Sequence, residues 1–164
     1  MTDFSTLELL KDPRGFATLW LSRADKNNAF NAQMIRELII ALDELAADAS
    51  LRFVILRGRG RHFSAGADLA WMQQSAALDY QSNLDDAREL AELMYNLARL
   101  KLPTLAVVQG AAFGGALGLI ACCDMAIGAE DAQLCLSEVR IGLAPAVISP
   151  FVVQAIGERA ARRY

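Results

Sequence analysis

An α/β fold with parallel strand pairing is the expectation for this chain, because three observations agree. Phe53-Val54-Ile55-Leu56 and Leu105-Ala106-Val107-Val108 are short continuous apolar runs, the pattern of strands buried on both faces. Residues 31–49 and 85–101 carry apolar residues at helical spacing. Strands separated by helix-length crossovers cannot be joined by tight hairpins, so they pair in parallel. No internal repeat or low-complexity linker interrupts the 164 residues, so one domain over residues 1–164 is expected.

Taken in order, Thr6 to Lys11 and Phe16 to Ser22 read as strands joined by the turn Asp12-Pro13-Arg14-Gly15. Asn31 is a helix cap, and Ile35, Leu38, Ile39, Leu42, Leu45, Ala46 and Ala49 follow on one face. Gly58 and Gly60 end the apolar strand at 53–56. Asp85 to Lys101 returns to helical period through Leu90, Leu93, Met94, Leu97 and Leu100, with Pro103 as its terminator. Asp124-Met125-Ala126-Ile127 and Leu134-Cys135-Leu136 supply two further strands.

Leu102 to Cys123 contains no charged residue, a length that raises a membrane span. Pro103, Gln109 and the glycines at 110, 114, 115 and 118 interrupt it where a strand–turn–helix needs them, so core packing is the preferred reading. At the other end, Gly157 to Tyr164 reads as an unfinished amphipathic helix. Val152, Val153, Ile156 and Ala160 share a face without a stop signal, and Tyr164 is expected to be a cut.

Composition narrows the function classes. The chain is 54% hydrophobic and 21% charged, which fits a folded protein and not a disordered one. A net charge of −3 gives no electrostatic case for nucleic acid or an anionic membrane. The three cysteines form neither a disulfide framework nor a metal-ligand spacing, and read as small buried hydrophobes; no metal is expected. Met1-Thr2-Asp3-Phe4-Ser5 is acidic and polar, unlike a secretory leader, so the cytoplasm is the default location.

Two glycine-and-alanine turns and one carboxylate carry the chemistry. The turns are Phe63-Ser64-Ala65-Gly66-Ala67-Asp68 and Gly110-Ala111-Ala112-Phe113-Gly114-Gly115-Ala116-Leu117-Gly118; the carboxylate is Glu138. Small residues let a backbone approach a ligand, and each turn leads into a helix start with outward N–H groups. Two such groups aimed at one carbonyl oxygen make an oxyanion hole, and a nearby Glu moves the proton. Each piece also has a bland explanation. The glycines alone would serve helix–strand packing, and their spacing does not match a dinucleotide loop. His62, the only histidine, sits in the basic stretch Arg57 to His62 and reads as part of a solvated loop, although its arginines are suited to phosphates. Asp68 reads equally as a helix cap or a ligand contact, and Asp124 as structural.

Together these segments resemble the enoyl-CoA hydratase/isomerase (crotonase) superfamily. The resemblance rests on Asp25-Lys26-Asn27-Asn28-Ala29-Phe30-Asn31, Phe63 to Leu69, Gly110 to Asp124, and Ser137-Glu138-Val139-Arg140-Ile141-Gly142-Leu143-Ala144-Pro145, and it covers nearly the whole chain. It implies a spiral of ββα turns that binds acyl-CoA thioesters, the coenzyme A arriving with the substrate and no other cofactor being required. By that resemblance Ala67 and Gly115 supply the oxyanion-hole N–H groups. Lys26, Ala65 and Gly66 match the positions that cradle the CoA moiety, and Asp68 and Leu69 are expected to join them in binding substrate and CoA. The segments Ser137 to Pro150 and Asp25 to Asn31 look most like the methylglutaconyl-CoA hydratase branch.

The sequence departs from the superfamily pattern in two places. Many hydratases carry a first glutamate where Gly118 stands here, which leaves Glu138 as the one catalytic carboxylate. By the resemblance, members of the family also continue into a helical C-terminal segment that builds a trimer or dimer of trimers, and this chain is expected to stop short of it. The reaction therefore stays open between a 2-enoyl-CoA hydratase, a Δ3,Δ2-enoyl-CoA isomerase in which Glu138 shuttles the proton, and a non-catalytic acyl-CoA-binding subunit.

Overall fold

The computed structural model describes residues 2–163. A main sheet runs in the order β1 (Leu7–Asp12), β2 (Phe16–Leu21), β3 (Phe53–Gly58), β4 (Thr104–Val108) and β6 (Met125–Gly128). β1 and β2 are antiparallel, and every other pair is parallel. The hairpin closes as its turn chemistry requires: the Gly15 N–H donates to the Asp12 carbonyl at 2.9 Å, and Gly15 sits at φ +87°, where a side chain would be strained. A second, two-stranded parallel sheet pairs β5 (Ala111–Phe113) with β7 (Gln133–Cys135). Isolated bridges Phe30↔Ala67 and Ser64↔Ala112 widen it.

The helices that close the parallel crossovers are α1 (Ala32–Ala47), α2 (Leu69–Ser75), α3 (Tyr80–Ala98) and α4 (Gly115–Cys122). Asn31 caps α1 by accepting the Met34 N–H at 2.9 Å. α3 begins five residues before Asp85, because Asp79 accepts the Ser82 N–H at 2.7 Å and starts a polar first turn that apolar spacing does not reveal. It also ends at Ala98, short of Pro103. α1 and α3 cover one face of the main sheet. Leu38, Leu42, Leu93 and Leu97 meet Leu19, Val54, Leu56, Ala106 and Leu119 there. Each such large side chain contributes roughly 1.5 to 3 kcal/mol by leaving water.

The strands are not buried on both faces. Val54 and Leu56 are buried, whereas Phe53 and Ile55 are only half-buried, and β4 alternates in the same way. The outer face is dressed by its own side chains: Phe16 stacks on Phe53 at 5.1 Å, and Arg57 lies over Trp20. β6 is exposed throughout, with Ile127 at 59%. An unbroken apolar run thus marked a strand here without marking a second covering layer.

Leu102 to Cys123 resolves into β4, β5 and α4, and no helix among the described residues is long and apolar enough to cross a membrane. Asp124 accepts the Thr104 N–H at 2.7 Å and its hydroxyl at 2.8 Å, tying the end of α4 to the start of β4. Burial pushes the Cys122 and Cys123 thiols up to about 12, which suits inert packing residues. After α5 (Ser149–Ile156), Gly157 at φ +79° breaks the chain before α6 (Glu158–Ala161). Val152 and Ala160 therefore belong to separate helices and not to one amphipathic face. The expectation for Tyr164 lies outside the described residues.

Candidate active site

The two small-residue turns are stitched together by backbone. The Phe63 N–H donates to the Gln109 carbonyl at 2.8 Å, Ser64 N–H to Ala111 at 3.0 Å, and Phe113 N–H to Ser64 at 3.0 Å. So close an approach needs glycine: a Cβ on Gly66, at φ +92°, would stand 2.9 Å from the Phe113 carbonyl oxygen. The pairing carries the chain on each side to Ala67 and to Gly115. Neither the Ala67 nor the Gly115 N–H donates a hydrogen bond to any described residue. Gly115 is the first residue of α4, so its N–H also lies at the positive end of that helix. The Phe30 ring backs it, 3.0 Å from where a Cβ would be.

Glu138 reaches the same place from a third segment. The Gly114 N–H donates to the Cys135 carbonyl at 2.9 Å, which holds β7 against the start of α4. Ser137 then leads into a single 3-10 turn, Glu138–Ile141. The carboxylate folds back over Gly114, so that a Cβ there would lie 3.2 Å from Glu138 Oε1. Glu138 Oε2 is buried and has no hydrogen-bond partner. Ala67, Gly115 and Glu138 all line one cavity of about 340 Å³, walled by Phe30, Trp71, Leu90 and the 143–148 segment. Among the described residues, Glu138 is the only ionisable side chain in that wall. Two unpaired donors beside one acid in an apolar cleft can hold a developing oxyanion and move a proton at the neighbouring carbon.

Gly118 lies one turn further along α4 and is sealed. A Cβ there would fall 2.5 Å from Ile148 Cγ2 and 2.9 Å from Met94 Sδ. The space beside Gly118 is thus filled by apolar packing, and nothing longer than hydrogen fits without displacing those side chains.

The residues matched to CoA binding do not line this cavity; they lie on the segments that carry its lining residues Phe30 and Ala67. Lys26 is exposed in the turn Ala24–Lys26, followed by Asn27 and Asn28 at φ +51° and +53°. The Ala65 N–H donates to the Asn27 carbonyl at 2.9 Å, and the Phe30 N–H to Gly66 at 2.7 Å, so the Lys26 turn and the Ala65–Gly66 backbone form one rim. Leu69 is exposed at 72%. Asp68 is committed elsewhere. Its carboxylate caps α2 through the Ala70 N–H at 2.9 Å and pairs with Arg23 at 3.0 Å. Burial opposes its charge, but the Arg23 guanidinium and the two cap N–H groups prevail and hold the carboxyl below its usual value. Of its two expected roles, the helix cap is the one the geometry displays.

Sequence reasoning missed three supports of this site. Asn28 is fully buried; its amide donates to the Arg59 and His62 carbonyls at 2.8 and 2.9 Å and its oxygen accepts the Arg23 N–H at 2.9 Å. Arg23 was not singled out as the partner of Asp68. His62 is no solvated loop residue, since its Nδ1 accepts the Ala111 N–H at 2.9 Å. Only the Asn27-Asn28 pair left a trace in the sequence, as residues that tolerate positive φ. Arg57 and Arg59 stack on Trp20, 4.4 and 3.8 Å from its ring centre, and Arg59 pairs with Glu8. No His, Cys, Asp or Glu cluster among the described residues could hold a metal.

Comparison with known proteins places this geometry. The profile of the family described as Enoyl-CoA hydratase/isomerase matches residues 11–164. The chain belongs to the enoyl-CoA hydratase/isomerase family. A protein of Thermus thermophilus with the provisional name enoyl-CoA hydratase is 38% identical over 146 residues, covering 89% of this chain and 58% of the relative. A solved enoyl-CoA hydratase from Shewanella pealeana is 50% identical and superposes with a TM-score of 0.95 over 98% of this chain and 60% of its own. An enoyl-CoA hydratase/isomerase (crotonase) structure from Legionella pneumophila, 47% identical, gives 0.94 over 98% of this chain and 62% of that one. The mixed α/β architecture with a parallel sheet is therefore the crotonase fold. The chain spans about half to three-fifths of the length of the curated relatives it matches.

Proposed function

We propose that this chain carries the acyl-CoA site of a 2-enoyl-CoA hydratase, acting on 3-methylglutaconyl-CoA or a related branched acyl-CoA. One observation supports the reading above all: two backbone N–H groups without partners, Ala67 and Gly115, share an apolar cavity with a single carboxylate whose Oε2 is buried and unpaired. Adding water across a conjugated thioester builds negative charge on the thioester oxygen. Two fixed donors stabilise that enolate, each by roughly 3 to 4 kcal/mol in a water-poor site. Glu138 deprotonates the attacking water and returns a proton to the α-carbon. The CoA lies over the rim formed by Lys26, Ala65 and Gly66, with Leu69 and the Asp68 backbone at its edge, and no cofactor beyond the substrate's own CoA is used. The branched acidic acyl group rests on the likeness of 25–31 and 137–150 to the methylglutaconyl-CoA branch.

The sealed Gly118 favours a second reading. With one acid only, a Δ3,Δ2-enoyl-CoA isomerase needs no water and uses Glu138 to carry a proton between two carbons. A non-catalytic acyl-CoA-binding subunit has no use for an unpaired buried carboxylate. Exposed apolar residues on β6 and on 139–143 suit burial in a homo-oligomer, a trimer or dimer of trimers, in the cytoplasm. Incubating the whole protein with a panel of 2-enoyl- and 3-enoyl-CoAs tests the assignment by the absorbance of the conjugated thioester. Loss with 2-enoyl esters means hydration, gain with 3-enoyl esters means isomerisation, and no change with any ester defeats both.

A further inference from the structure

We propose that His62 is a positioning residue for the oxyanion hole, resting on the reading that Ala67 and Gly115 form one. Its Nδ1 accepts the Ala111 N–H at 2.9 Å, so the ring serves as an acceptor towards the first residue of β5. The ring lies directly on Gly110, at φ +56°, where a Cβ would come within 2.6 Å of Nδ1 and 2.4 Å of the Arg61 carbonyl oxygen. A side chain at position 110 would occupy the space that the ring takes.

The placement matters because of what each strand delivers. Ala67 lies five residues beyond His62, and Gly115 lies four beyond Ala111. Around these points the two segments are joined by backbone hydrogen bonds from Phe63 to Gln109, Ser64 to Ala111 and Phe113 to Ser64. The His62–Ala111 bond adds a side chain to that stitch at the start of β5, while the Gln109 amide, which donates to the Gly58 and Gly60 carbonyls at 2.7 and 3.2 Å, holds the same crossing further from the donors. The His62 ring satisfies an N–H at the very start of β5. The His62 carbonyl is anchored in turn by the buried Asn28 amide at 2.9 Å, and Asn28 leads into Phe30, whose ring backs Gly115. His62 therefore ties the register of one donor strand to the other without touching substrate. Misplacing a donor by about an ångström costs on the order of a hundredfold in rate, whereas the rim that binds CoA does not depend on this bond.

Asparagine and histidine provide the contrast for a test. Asn Oδ1 and His Nδ1 are both attached to Cγ, so His62→Asn can still accept the Ala111 N–H, while His62→Phe fills the space without an acceptor. In the whole protein, His62→Phe is expected to lower kcat about tenfold or more with KM changed less than about threefold, and His62→Asn to restore most of kcat. Acetoacetyl-CoA gives a readout independent of water addition: its enolate absorbs in the near ultraviolet and needs an oxyanion hole but no turnover. The enolate band on the bound ester should fall in His62→Phe and return in His62→Asn. Circular dichroism and thermal melts accompany each variant. Should both variants keep the wild-type band and kcat, or should Phe and Asn lose them equally, the positioning role is overturned. A wild-type protein that forms the enolate band but converts no enoyl-CoA would instead overturn the proposed reaction and leave the role of His62 in force.

Discussion

Gly118 and Glu138 are two neighbours of one cavity with opposite fates. Both belong to segments that start at the Gly114–Gly115 turn or are tied to it. At Gly118 the wall has closed: Ile148 and Met94 leave no space for even a Cβ. At Glu138 it stays open, and a carboxylate oxygen is buried without a partner. Burial of an unpaired acceptor costs stability, commonly about 1 to 3 kcal/mol, and packing an apolar plug recovers some of it nearby. The difference teaches that acid–base chemistry here is concentrated on one side chain, with the rest of the electrostatics supplied by backbone.

Breaking the open side should have the largest effect. Glu138→Gln in the whole protein is expected to lower turnover by about 100-fold or more while CoA-ester binding persists, because shape survives and proton transfer does not. Steady-state kinetics with isothermal titration of a substrate analogue checks it; near-normal turnover would reassign the base. Gly115→Pro removes one of the two donors at the first helical position, where proline suits the backbone but its ring must push the Phe30 ring aside, so kcat should fall at least about 100- to 1,000-fold. Circular dichroism must show a folded protein for this to count. A folded variant with full activity would move the oxyanion hole elsewhere.

The closed side sharpens the same comparison through stability. Gly118→Ala should destabilise by about 1 to 3 kcal/mol, since its methyl overlaps Ile148 Cγ2, and Gly118→Glu by more, because it also buries a charge. Pairing Gly118→Ala with Ile148→Ala, which removes Cγ2, should cost less in urea melts than the sum of the two single losses. Two simply additive losses would show that the seal is not made by Ile148. The smallest effect concerns the rim. Asp68, held below its ordinary value of 3.8, contributes stability that is complete above that value and is lost as pH falls through its folded pKa. Asp68→Asn should flatten the acid limb of a melting-temperature profile below about pH 4 and cost about 1 kcal/mol at neutral pH. An unchanged acid limb would remove Asp68 from the rim's support.

Much of the frame was legible from local patterns. Asn31, the Asp12–Gly15 turn, the apolar runs at 53–56 and 105–108 and the small-residue turns all act through neighbours a few residues away, where sequence and geometry are directly linked. Asp79, which starts α3 early, is equally local but begins a polar turn that hydrophobic spacing overlooks. The strands' second face was misjudged, because an apolar run reports a strand's composition and not what lies across it.

The sequence by itself determined the family, the α/β class, and the three segments from which the site is built. Those follow from residue type, spacing and chain order. Only the tertiary structure decided that Asp68 is spent on Arg23 and α2, that His62 grips Ala111, and that Gly118 is plugged while Glu138 faces open space. Apart from the local cap on α2, these are contacts between residues 24 to 49 positions apart, such as Gly118 with Met94 and Ile148 and His62 with Ala111. Which distant groups meet depends on how the strands and helices pack around the cavity, and no local preference of the chain encodes that choice.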